Sequence, residues 1–204
     1  MKPIALIYAT REGQTRRIAW HVEEILRTRR VATQLLDAKE LPAAFSLSPF
    51  SAAILIASVH GGRHEEEMIT FVKRHRVELQ SLSTAFLSVS LSEAGAEDSA
   101  RTPSQRAEFA ADVDKMIDDF LAATGWQPEN VFPVAGALMY SQYGAFVRFV
   151  MKRVAKKAGV STDTSHDHEF TNWTALDYFI STFLDSLLPT ASGVAAPASP
   201  PPAP

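Results

Sequence analysis

Five short apolar runs punctuate the chain, separated by stretches whose apolar residues recur every three or four positions. Ile4–Tyr8 is the first run, and the segment behind it places Ile18, Val22, Ile25 and Leu26 on one helical face. Ala52–Ala57 and Ala85–Val89 are equally continuous, while Val31–Leu36 and Val131–Ala135 are weaker but read better as strands than as helices. Between them, Met68, Ile69 and Val72, and then Phe109, Val113, Met116, Phe120 and Leu121, form helical stripes suited to covering a sheet. Thr102-Pro103-Ser104-Gln105 opens the second stripe: Thr can cap, Pro is tolerated at the first helical position, and Gln stands at the capping-box site. Segments 146–158 and 173–187 complete an alternation of five strands and five helices. Strands buried on both faces by crossover helices read as unbroken apolar runs, so the pattern predicts a parallel, doubly wound α/β sheet. Pro133 cannot donate to a ladder and marks the last strand as an edge, where the order 2-1-3-4-5 places it.

Composition narrows the chemistry. Hydrophobic residues make up 46% and charged residues 21% of the 204 positions, the balance of a globular body. Twenty Lys plus Arg against 23 Asp plus Glu give a net charge of −3, which predicts no general attraction to nucleic acid. The chain has no cysteine, so disulfides, thiolate nucleophiles and Cys-bound metal centres are excluded, and a redox role needs an organic cofactor. The apolar run at the amino terminus is too short for a secretory or spanning segment, and a cytoplasmic location is expected. Residues 189–204 are almost wholly Ala, Pro, Ser, Gly and Thr, which predicts a disordered tail after a domain spanning 1–188.

Three loops at the carboxyl ends of the strands carry the candidate chemistry. In Thr10-Arg11-Glu12-Gly13-Gln14-Thr15, the amides at the head of the first helix and the Thr10 and Thr15 hydroxyls suit a phosphate, and Gly13 allows close approach. The loop lacks the Gly-Lys-Ser/Thr of a nucleoside-triphosphate loop and the three glycines of a dinucleotide fingerprint. Ser58-Val59-His60-Gly61-Gly62-Arg63-His64 follows the third strand, its glycines leaving room for a flat ligand and His60, Arg63 or His64 available to hydrogen-bond it. A third loop, Ser90-Leu91-Ser92 through Arg101, offers amides to the same edge. Glu93, Glu97 and Asp98 make it acidic, with Arg101 and Arg106 as the offsetting cations. No side chain stands out as a catalytic base.

The 10–15 loop resembles the phosphate loop of the flavodoxins. Ala57-Ser58, 71–75, 88–91, Arg101-Thr102-Pro103, 135–140, Thr162-Asp163-Thr164 and Thr171-Asn172-Trp173 are similar, in order, to the branch of quinone-dependent protoporphyrinogen oxidases of bacterial haem synthesis. The resemblance implies a flavodoxin-like fold and FMN held by residues 10–15, 58–63 and 90–92. It also implies hydrogen removal from protoporphyrinogen, or another small redox substrate, with electrons passed to a respiratory quinone. An electron carrier and a general quinone or flavin reductase are the alternatives on the same scaffold.

Arg148, Lys152, Arg153, Lys156 and Lys157 form a basic face on the fourth helix, which suits an ordinary solvated surface or a peripheral contact with an anionic membrane. His166-Asp167-His168-Glu169 has metal-ligand residue types, but alternation along an extended segment opposes Asp167 to the histidines, so a loop with no metal is expected. Trp173, Tyr178, Phe179 and Phe183 read as core packing.

Overall fold

The computed structural model describes residues 2–138 and 168–187. The elements run β1 (Ile4–Ala9), α1 (Gln14–Thr28), β2 (Thr33–Asp37), β3 (Ala52–His60), β4 (Arg63–His64), α2 (Glu66–Leu79), β5 (Ser83–Ser90), α3 (Leu91–Glu97), α4 (Pro103–Thr124), β6 (Asn130–Ala135), β7 (Ala137–Leu138), β8 (His168–Glu169) and the last helix, here α5 (Trp173–Leu187). The five long strands are parallel in the order β2-β1-β3-β5-β6, a flavodoxin-like sheet. The basic face at Arg148, Lys152, Arg153, Lys156 and Lys157, the residues His166 and Asp167, and the tail 189–204 lie outside the described residues.

The unbroken apolar runs follow from a sheet covered on both sides. Ile4, Leu6, Ile54, Ile56 and Leu87 face one core, closed by Ile18, Val22 and Leu26 of α1 and Leu176, Ile180 and Phe183 of α5. Ala5, Ile7, Leu55 and Phe86 face the other, closed by Met68 and Val72 of α2, Phe120 of α4, and Trp126. Phe179 stacks on Phe132 and Trp173 packs at the core margin, whereas Tyr178 is 76% exposed and lies off the packed face. β6 is the edge of the path, with Pro133 opposite Ser88. The expected capping box forms at α4: Thr102 Oγ1 accepts from the Gln105 amide at 3.3 Å, and Gln105 Oε1 accepts from the Thr102 amide at 3.0 Å.

Three local expectations are corrected. The second strand starts at Thr33 rather than Val31, because residues 29–31 finish α1: the Val31 amide donates to Leu26 O and Arg30 turns back with φ 57°. The stretch from Ser90 is not a plain loop. Ser90 Oγ accepts from the Glu93 amide at 3.2 Å and starts the seven-residue helix α3. Finally, Gly61 and Gly62 are the two turn residues of a hairpin in which His60 pairs with Arg63 and Val59 with His64. Their φ values of 57° and 81° match the two positive-φ positions of a tight hairpin turn, so backbone twist is what demands glycine here.

That hairpin turns His64 into the core. It is 4% exposed, its Nε2 lies 2.8 Å from Ser88 Oγ, and its ring packs against Phe86 and Phe120. Hydrogen bonding to a ligand at the strand ends, one of the roles its position in the sequence suggested, is therefore closed to it. Burial lowers its pKa to about 4, so the folded state holds the ring neutral while the unfolded chain protonates it near 6.5. Stability from this site is full above pH 6.5 and is lost as the pH falls toward 4. In urea titrations between pH 4 and 7.5, His64→Gln should show a shallower acid-side loss than the parent; an equally steep loss would place the acid sensitivity elsewhere.

Candidate cofactor site

The strand ends of β1, β3, β5 and β6 surround a cleft that opens to solvent. From the first loop, Thr10, Arg11, Glu12, Gln14 and Thr15 line it; Ser58, Val59 and His60 come from the end of β3, and Ser90 and Leu91 from the β5–α3 junction. Gly13, Gly61, Gly62, Arg63 and Ser92 are not in its wall. Gly13 acts through the backbone, whereas Arg63 is exposed beside Glu66 at 3.6 Å. Val89, Gly136 and Ala137 also line the cleft and carried no role in the sequence reading. The signal for Gly136 and Ala137 was their position just past the last parallel strand, the edge on which such sheets bind ligands.

The first loop is shaped to leave donors facing the cleft. Gly13 caps α1 with φ 91°, in the left-handed region, and its amide donates to Thr10 Oγ1 at 3.1 Å. No side chain caps α1, and no acidic residue stands in its first turn. A helix start leaves amides without intrahelical acceptors and carries partial positive charge. Thr15 Oγ1 is buried beside them, its residue 1% exposed, and it has no hydrogen-bond partner. A buried hydroxyl left unpaired costs about 1–3 kcal/mol, which an acceptor oxygen placed at the helix head recovers.

Two networks tie this loop to the rest of the molecule. Arg11 reaches Glu65 Oε2 at 3.0 Å, and the 4%-exposed Glu65 also accepts from Ser58 Oγ at 3.3 Å, joining the first loop to β3. Gln14 Nε2 donates to Glu169 Oε1 at 2.8 Å and to Thr171 Oγ1 at 3.0 Å, and Thr171 donates to Ala135 O at 2.8 Å. Arg17 completes this strap at 3.4 Å from Glu169 Oε2. Glu169 thus lies on β8, paired with Ala137, rather than in the loop expected for residues 166–169. Arg11 and Arg17 are thus both matched by carboxylates, with Arg11 still on the cleft wall beside the amides and hydroxyls.

The acidic character expected for the third loop does not reach the cleft. Glu93 is buried, and Arg101 sits 3.2 Å from Asp98 with its guanidinium over the Phe109 ring, so this cation serves the α3–α4 contact. Burial, then the charges of Glu97 and Asp114, push the Glu93 carboxyl up to about 7. On the cleft wall, His60 Nε2 lies 3.7 Å from Glu12 Oε1. Among the described residues, no cluster of three His, Asp or Glu side chains is arranged to hold a metal. No helix among them is long and apolar enough to cross a membrane.

The residues fit a flat cofactor ending in a phosphomonoester: an orphaned buried hydroxyl and open amides at one end, and a cleft between two strand ends at the other. Comparison with known proteins agrees in fold. The Flavodoxin domain family matches residues 5–165. The protoporphyrinogen IX dehydrogenase [quinone] of Escherichia coli K12 is 28% identical over 168 residues, 82% of this chain and 87% of that protein. The protein of the same name from Leishmania major is 27% identical over 179 residues, 87% of this chain and 73% of that protein. Among solved structures, a short-chain flavodoxin associated with a PDU bacterial microcompartment superposes with a TM-score of 0.54 at 14% identity, covering 92% of this chain and all of that one. The chain belongs to the flavodoxin family.

Proposed function

We propose that this protein is an FMN-dependent oxidoreductase that oxidises protoporphyrinogen IX to protoporphyrin IX, with a quinone as electron acceptor. The observation that carries the cofactor half is the unpaired Thr15 hydroxyl beside the open head of α1. The substrate half is supported by the likeness to the E. coli and L. major dehydrogenases along most of the chain.

When bound, FMN supplies a two-electron acceptor that the side chains of a cysteine-free protein lack. The chain's own residues bind and orient. Thr15 Oγ1 and the amides at the start of α1 hold the phosphate, and the Gly13 turn exposes those amides. Ser58, Val59 and His60 form one side of the slot for the ring, and Ser90 and Leu91 the other; Gly61, Gly62 and Arg63 hold the end of β3 through the hairpin. The Arg11–Glu65–Ser58 chain sets the spacing between phosphate and ring ends.

Purified protein should be yellow and release FMN, identified by mass, in about one equivalent. Under anaerobic conditions it should convert protoporphyrinogen to fluorescent porphyrin only when a soluble quinone is added. Bound FMN with no porphyrin formed would overturn the substrate assignment and favour an electron carrier.

A further inference from the structure

The oxidation proposed above takes six hydrogens from a reduced tetrapyrrole, four carbon-bound and two nitrogen-bound, in three electron pairs, so each pair taken as hydride leaves one proton to be accepted. Among the described residues of the cleft wall, three have ionisable side chains: Arg11, Glu12 and His60. Arg11 remains cationic and is held by Glu65, so it cannot take a proton. Glu12, from the first loop, and His60, from the end of β3, come together at 3.7 Å with about a quarter and a third of their side chains exposed. The other described residues of the wall offer hydroxyl, amide and hydrocarbon, none of which takes up a proton at neutral pH.

We propose that His60 is the proton acceptor of this oxidation and that Glu12 is the positioning residue behind it. The inference rests on the functional reading above and adds a residue to it. The His60 backbone is held by its pairing with Arg63 across the Gly61-Gly62 turn. Its Nε2 faces the Glu12 carboxylate, which favours the N–H at that nitrogen and leaves the Nδ1 lone pair to accept. With FMN bound as the acceptor, a bridging C–H bond of the tetrapyrrole would break with its electron pair leaving to that acceptor. A pyrrole N–H bond breaks, its pair becomes the new conjugated π bond, and the proton goes to His60 Nδ1 and then to water. The quinone finally takes up the two electrons with two protons, so the tetrapyrrole loses two hydrogens and the quinone gains two.

The test uses FMN-loaded protein mixed anaerobically with protoporphyrinogen, following loss of flavin absorbance across pH 5–9, alongside FMN titration of the apoprotein by fluorescence quenching. His60→Ala should slow the loss at least about 100-fold, the range for a missing general base. Added imidazole should restore part of the rate, and Glu12→Gln should slow it about 10-fold. FMN affinity should fall by much less than the rate in both variants, because Thr15 and the amides of α1 remain to hold the phosphate. An unchanged rate and pH profile in His60→Ala overturns the proposal, as does FMN affinity falling in step with the rate, which makes His60 a ring-holding group. Parent protein that binds FMN but leaves protoporphyrinogen untouched overturns the functional reading, and this inference with it, before any variant is made.

Discussion

Thr15→Val should make the apoprotein more stable and FMN binding weaker, by about 10- to 100-fold. Valine keeps the branched shape of threonine and removes only a buried hydroxyl that has no partner. Relieving that unpaired group is worth about 1 kcal/mol or more in the absence of ligand, or a rise in Tm of about 2–4 °C per kcal/mol for a chain of this size. With ligand the sign reverses, since a hydrogen bond to a charged phosphate contributes about 1.5–3 kcal/mol and each 1.4 kcal/mol is tenfold in affinity. Differential scanning fluorimetry and fluorescence titration with FMN read the two effects separately. Opposite signs identify a hydroxyl reserved for ligand, and a variant that loses both stability and affinity would show that Thr15 is simply part of the core.

Glu93→Gln is expected to stabilise the protein at pH 8 while leaving its stability near pH 4 almost unchanged. Burial and the neighbouring Glu97 and Asp114 raise the folded-state pKa of Glu93 to about 7, above the 4.5 of the free side chain. The folded protein therefore binds the proton more tightly than the unfolded chain. The contribution of the protonated group is fully present below 4.5, declines through the interval, and is gone above 7. The shift corresponds to about 3 kcal/mol at most. Partial access of this carboxyl to water reduces that to about 1–2 kcal/mol. Urea denaturation at pH 4, 6 and 8 checks it; equal stability of parent and variant at pH 8 would mean the carboxyl is solvated. His64 slopes the other way over an overlapping range, so in the parent the two partly cancel between pH 4.5 and 6.5.

Where sequence reading succeeded, one physical signal dominated. Unbroken apolar strands arise only when both faces are covered, so Ile4–Tyr8, Ala52–Ala57 and Ala85–Val89 revealed the parallel sheet without further help. Pro133 located the edge because a missing donor is tolerable there. The start of the first helix was legible too, since Gly13 stands at its N-cap directly after β1 and its loop. The hairpin and α3 were harder. Gly61-Gly62 served a tight turn of two residues, and a two-residue strand such as β4 is too short to show a period. In α3, buried Glu93 and the close contact of Gly95 with Phe109 disguised a helix as an acidic loop. Most distant from any local pattern was Glu169, whose partner Gln14 lies 155 positions away. Only the folded sheet brings them together.

That long-range tie bears on the order in which the protein is made. The head of α1 emerges among the first residues of the chain, yet Gln14 finds Glu169 and Thr171 only when the far end has been synthesised. A growing polypeptide halted before position 168 therefore carries the Gly13 turn without the clasp that steadies it. The clasp closes only once residues 169 and 171 have joined the sheet.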